Sequence, residues 1–153
     1  MVRKLLAAGC VVMLVAVAAT GCRVVLLPQV DAKVFLVRTS SQEIELVAVP
    51  RSVSAEMPLA EAVLRELLKG PTAAERRQGL ASLIPKGAAL RSVSVTETGV
   101  AWADFGEGLE EGIGGSMRVL GIRQQIEATL MTIPGIKSVI LSIEGETEGV
   151  LQP

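Results

Sequence analysis

The stretch LLKGPTAAERRQGLASLIPKG, residues 67–87, decides how this chain folds. Its first residues close a helix that the pattern places over 58–69. Pro58 suits the first helical turn, where a missing N–H costs nothing. Leu59, Val63 and Leu67 make one apolar stripe, with Ala60, Leu64 and Leu68 beside it. Gly70 then offers a left-handed cap, and Pro71 blocks continuation. Thr72-Ala73-Ala74-Glu75 has capping-box spacing, so a second helix starts at once and runs to about Leu80. Pro85-Lys86-Gly87 turns the chain into the next strand. Gly70, Pro71, Thr72 and Glu75 are therefore expected to act structurally, since they supply neither nucleophile nor acid.

Working outward, the residues before this stretch alternate as strands. Lys33–Ser40 and Glu43–Val49 form a predicted hairpin, with Ile44, Leu46 and Ala48 sharing a face and Pro50 ending it. Beyond it, 90–96 and 100–105 bracket Glu97-Thr98-Gly99 as a second hairpin. Ala101, Ala103 and Phe105 share one face of the return strand, and Trp102 and Asp104 the other. Residues 106–116 are Gly-rich and acidic, which predicts a mobile loop. Ser116 is a candidate N-cap for a helix over 117–132, whose stripe is Val119, Ile122, Ile126, Leu130 and Ile133. Pro134-Gly135 stops it, and Ile136–Ile143 is the last strand. The tail from 146 to 153 is polar and expected to fray.

The N-terminus reads as an export signal. Arg3 and Lys4 precede an uncharged apolar run, and Ala19-Thr20-Gly21-Cys22 closes it. That ending resembles a bacterial lipobox, which implies lipid attachment to the Cys22 thiol and cleavage before it. Residues 1–21 are then a signal peptide and 22–32 a tether. The alternative is an uncleaved anchor, because Leu5–Cys22 is 18 residues, long enough to span a bilayer. Both readings send the body out of the cytoplasm and hold it on the far side of the membrane. Acyl chains contribute about 0.8 kcal/mol per buried methylene, so more than one anchors firmly. Cys10 and Cys22 are the only cysteines, which leaves the body without a disulfide.

Composition narrows the function. The chain has no His and no Tyr, so Ser–His and Cys–His mechanisms cannot be built and the commonest zinc ligand is missing. Loss of Arg3 and Lys4 with the leader leaves 13 basic against 16 acidic residues, with no basic stripe. Phe35, Trp102 and Phe105 are the only aromatics. Both counts argue against nucleic acid as a partner. Glu107, Glu110 and Glu111, and Glu144, Glu146 and Glu148, lack the spacing of a calcium loop and read as solvated acids. Gly114-Gly115-Ser116 reads as a flexible cap, without a full phosphate-loop pattern. No metal, cofactor or catalytic residue is implied, and the chain is not read as an enzyme.

The order of elements is β-β-α-(short α)-β-β-α-β, an α+β arrangement in which an N-terminal hairpin precedes an αββαβ core and the helices pack on a small mixed sheet. LLKGPTAAERRQGLASLIPKG, LRSVSVTETGVAWADF and EATLMTIPGIKSVILSIEG, taken in that order, resemble the GerMN domain of sporulation and spore-germination proteins. The resemblance covers roughly 33–145 and implies a compact domain similar to ring-building motifs of envelope and secretion assemblies. It implies no enzymatic activity. It points to a membrane-anchored lipoprotein that meets other envelope proteins, or itself, through a sheet edge or the Trp102 face. Trp102 has two readings: a partly exposed partner anchor, or a side chain covered by the N-terminal hairpin. A module binding peptidoglycan or a small ligand is the alternative function, disfavoured by the few aromatics.

Overall fold

The computed structural model describes residues 28–39 and 43–151. Two three-stranded sheets enclose one continuous apolar core together with two main helices. The first sheet has the order β2-β1-β3. β1 (Gln29–Thr39) and β2 (Ile44–Ser54) pair antiparallel along their full length, from Gln29 opposite Ser54 to Thr39 opposite Ile44. β1 thus begins inside the stretch expected to be tether. β2 runs through Pro50 where the sequence predicted an end. The reason is its place at the sheet edge, where a strand can carry a proline whose missing N–H faces away from the ladder. Val47, Val49 and Val53 turn toward the core, together with Val34 and Leu36 of β1. Ala48 on the alternate face is exposed.

α1 (Leu59–Leu68) buries Ala60, Ala62, Val63, Leu64 and Leu67, and Pro58 stands just outside it as N-cap. It packs against β1, β2, β4 and α3, so it ties the two sheets together. Gly70 adopts φ +71, a conformation glycine reaches without strain. α2 spans Ala73–Arg77, shorter than expected, because Leu80–Ala81 is drawn off as β3 against Val37 and Arg38 of β1.

The second sheet has the order β4-β5-β6. β4 (Leu90–Val95) and β5 (Val100–Phe105) form the hairpin, with a bulge between Leu90 and Ser92. α3 (Ser116–Leu130) carries the chain across to β6 (Ser138–Ile143), which lies parallel to β5. Such a parallel return requires a crossover of this kind. Gly115, and not Ser116, occupies the N-cap position; Ser116 is already helical. Val119, Ile122, Ile126 and Leu130 are all buried.

Two further polar positions of α3 join them in the core, Gln125 and Thr129, both fully buried. β3 covers β1 only at Val37 and Arg38, which leaves Phe35 without a strand neighbour on that side. α3 supplies the missing bonds. The Phe35 N–H donates to Thr129 Oγ1 at 2.9 Å, and Gln125 Nε2 donates to the Phe35 carbonyl at 2.9 Å. Gln125 Oε1 accepts from the Leu83 N–H at 2.7 Å. Side chains one helical turn apart thus extend the ladder and give these backbone groups the partners that buried polar groups need.

The acidic loop departs from the expected mobility. Glu107–Leu109 forms a 3₁₀ turn with Leu109 fully buried. Gly108 lies so close to the Gly87 backbone that an added Cβ would stand 2.2 Å from the Gly87 carbonyl oxygen. The tail also packs: Val150 and Leu151 are buried, Arg123 donates to the Val150 carbonyl at 2.9 Å, and the Leu151 N–H donates to Glu110 at 2.8 Å.

Candidate interaction surface

Alternation along β5 sends Ala101, Ala103 and Phe105 into the core and Trp102 and Asp104 to the other face. Ser92 and Ser94 of β4 stand opposite Asp104 and Trp102, and Ile140 and Ser142 of β6 lie on their other side. Trp102 is 44% exposed at the middle of this face. Ser94 flanks it on the β4 side and Ile140 on the β6 side, and the ring stays open to an incoming surface.

Below the indole, Asp104 organises the sheet end. Its carboxylate accepts from the Ser142 hydroxyl at 2.7 Å, the Gly145 N–H at 2.8 Å and Arg91 at 2.7 Å. Arg91 also meets Glu144 at 3.3 Å. Partial burial opposes the charged form of Asp104, but the donors from Ser142, Gly145 and Arg91 outweigh it and hold the carboxyl below its ordinary range. The bulge in β4 is what brings Arg91 to this face. The sequence placed Asp104 beside Trp102; it carried no sign of Arg91, because a bulge breaks the two-residue period.

The residues of the decisive stretch gather elsewhere. Thr72 Oγ1 accepts from the Glu75 N–H at 3.3 Å, and Glu75 accepts from the Thr72 N–H at 2.7 Å. Arg51 of β2 grips the same carboxylate through two bonds, 2.6 and 2.8 Å long, and approaches Glu66 of α1 at 3.5 Å. The Arg51 bonds are the main cause that lowers the Glu75 carboxyl to about 2. This cluster pins the corner between α1 and α2 onto the hairpin. Trp102 and this cluster do not come together. Cys22, together with the leader, lies outside the described residues.

A cleft of about 780 Å³ opens beside the hairpin, lined among others by Lys33, Pro50, Leu59, Ile133 and Pro134. No helix among the described residues is long and apolar enough to cross a membrane.

These features define a small α+β domain with one open sheet face centred on a tryptophan. The chain belongs to the Germane family, described as sporulation and spore germination, which it matches over residues 33–149. Among solved structures it is similar to the tandem GerMN domains of the sporulation protein GerM from Bacillus subtilis, with a TM-score of 0.65 and 20% identity. That match covers 86% of this chain and 44% of the other, so this chain spans less than half of the tandem structure. The first GerMN domain of the same protein gives a TM-score of 0.57 at 18% identity, covering 81% of this chain and 92% of that one. A putative lipoprotein from Clostridium perfringens gives 0.53 at 18% identity, covering 81% and 80%. At such identities the likeness is one of fold. No curated protein matches the sequence significantly.

Proposed function

We propose that this protein is an exported lipoprotein, held on the extracytoplasmic side of the membrane by acylated Cys22, whose domain works by contact with other envelope proteins and makes no bonds. One observation carries the contact reading: the half-exposed Trp102 at the centre of an open sheet face. Tryptophan is among the residues most enriched at the energetic centres of protein interfaces. Membership in a sporulation and germination family and a fold shared with a putative lipoprotein support an envelope role. If the source forms spores, the role belongs to sporulation or germination. Residues 1–21 act as the signal and the segment up to β1 as a short tether.

The test is crosslinking in native membranes, followed by identification of the captured proteins. Trp102→Ala should reduce capture about thirtyfold, since an interface tryptophan at a hot spot contributes on the order of 2 kcal/mol. Its melting temperature should stay within about 2 °C of wild type, as expected for a surface change of a few tenths of a kcal/mol. Undiminished capture would sink the contact reading. The mass of the mature N-terminal peptide tests the anchor: an unmodified Cys22 rules out acylation.

A second reading, a module for wall polymer or a small ligand, is favoured by the cleft beside Lys33 and Leu59. Salt-resistant binding of the protein to purified cell wall would support it over the first.

A further inference from the structure

The exposed apolar side chains of this domain are not spread evenly. Among the described residues seven large ones meet solvent, and four of them, Val30, Met57, Val95 and Met131, lie at one end, each between 36% and 47% exposed. It is the end where the chain arrives from Cys22. The Pro28 carbonyl accepts from the Ala55 N–H at 2.9 Å, which sets the β2–α1 connection and Met57 beside the entry of β1. The cleft described above joins residues 31–33 to residues 132–134, so α3 ends there too, at Met131. The Lys137 N–H donates to the Gly99 carbonyl at 2.8 Å, which brings in the β4–β5 turn and Val95 before it.

Alternation explains two of the four. Val30 continues the inward row of Ala32 and Val34 on β1, and Val95 continues that of Val93 on β4. The apolar interior thus runs out to this end and is left uncovered. The opposite end differs in kind. β5 and β6 both run toward it, and there Glu107, Glu110, Glu111, Glu144, Glu146 and Glu148 follow them. Met117 and Leu120, exposed at the start of α3, share that end with these carboxylates. At the entry end Asp31, Glu56 and Glu97 stand against Lys33 and Lys137, which makes a nearly neutral rim.

We propose that this end of the domain rests on the lipid surface that holds Cys22, with Val30, Met57, Val95 and Met131 against the headgroup layer. The inference rests on the anchoring reading above. Residues 23–27 are all that lies between Cys22 and Pro28, so the link spans at most about 20 Å. β1, with 11 residues, is itself about 35 Å long. The link is too short to pass along the domain and turn its acidic end to the membrane. Val24-Val25-Leu26-Leu27 within it is apolar throughout, which favours the interface over water and shortens the free link further. Apolar side chains on a nearly neutral rim gain from the contact, and the carboxylates stand away from anionic headgroups. β5 and β6 then rise from the membrane, and Trp102 faces sideways, toward a neighbour on the same surface.

Acylation of Cys22 leaves the mature body without a thiol, so a single introduced cysteine takes a fluorophore alone. The mature protein, purified from membranes, is labelled as Glu97→Cys, in the turn at the entry end, or as Glu146→Cys, about 20 Å farther out along six-residue strands. Each is reconstituted in vesicles of phosphatidylethanolamine and phosphatidylglycerol that carry nitroxide-labelled headgroups. The label at 97 should lose most of its emission to the nitroxide, and the label at 146 should keep most of its own. Met57→Glu combined with Met131→Glu should remove most of the quenching at 97, while the protein stays on the vesicles with an unchanged melting temperature. Equal quenching at 97 and 146 in protein held on the vesicles overturns the docking and leaves the anchor. Quenching at 97 that survives the double substitution also overturns it. An unmodified Cys22 on a protein that stays in solution removes the anchor and the docking with it. If the label at 97 is quenched as expected while Trp102→Ala captures as much as wild type, the contact reading alone falls.

Discussion

Arg51 and Glu75 show how one ion pair fixes a corner. Both side chains are largely buried, at 10% and 13% exposure, and the carboxylate is also the cap of α2. Removing Arg51 strands Glu75 and Glu66 without their cation. Arg51→Met should therefore lower unfolding stability by about 2–3 kcal/mol, below the full cost of breaking a deeply buried pair. Urea unfolding of the two proteins checks it. The pair also sets an acid dependence. Glu75 has a folded pKa of about 2 against an ordinary 4.5, so its contribution is complete above about 4.5 and fades as pH falls toward 2. Wild type should lose stability over that window more steeply than Arg51→Met. Equal slopes would mean that Arg51 does not hold the carboxylate. Of this cluster, the Thr72–Glu75 half was legible from spacing four residues long. The Arg51 half was not, because its partner lies 24 residues away.

At the scale of elements, α3 does more than cover a sheet. Its apolar stripe could be read from periodicity, and Val119, Ile122, Ile126 and Leu130 lie where that period puts them. Gln125 and Thr129 break the pattern by their polarity, and only the short reach of β3 explains them. Gln125→Leu should cost about 2–3 kcal/mol although it adds apolar surface, because it leaves the Leu83 N–H and the Phe35 carbonyl buried without partners. Thermal unfolding measures this, and a stability gain would show that the helix does not complete the ladder. The strand ends were misread for a related reason. Pro50 breaks an interior strand and is tolerated in an edge strand, and edge status follows from the pairing of the whole sheet.

For the molecule as a whole, the tail and the acidic loop close the domain. Leu151 is 3% exposed and its N–H is held by Glu110 of that loop. Leu151→Ala should destabilise the protein by about 2 kcal/mol, the lower end for a buried leucine. A change below a few tenths would restore the frayed tail expected from composition. Both segments looked mobile because glycine and glutamate dominate them. Their few apolar residues, Leu109, Val150 and Leu151, find the core only once β5, α3 and β6 are assembled around it. The sequence by itself determined the order of the helices and of the longer strands, though not the two-residue β3, the sharp corner at Gly70-Pro71-Thr72 and the family resemblance, since these rest on periods and motifs a few residues long. Tertiary structure alone decided where Arg91 and Arg51 find their carboxylates, and that Trp102 meets solvent, since each depends on contacts between residues far apart in the chain.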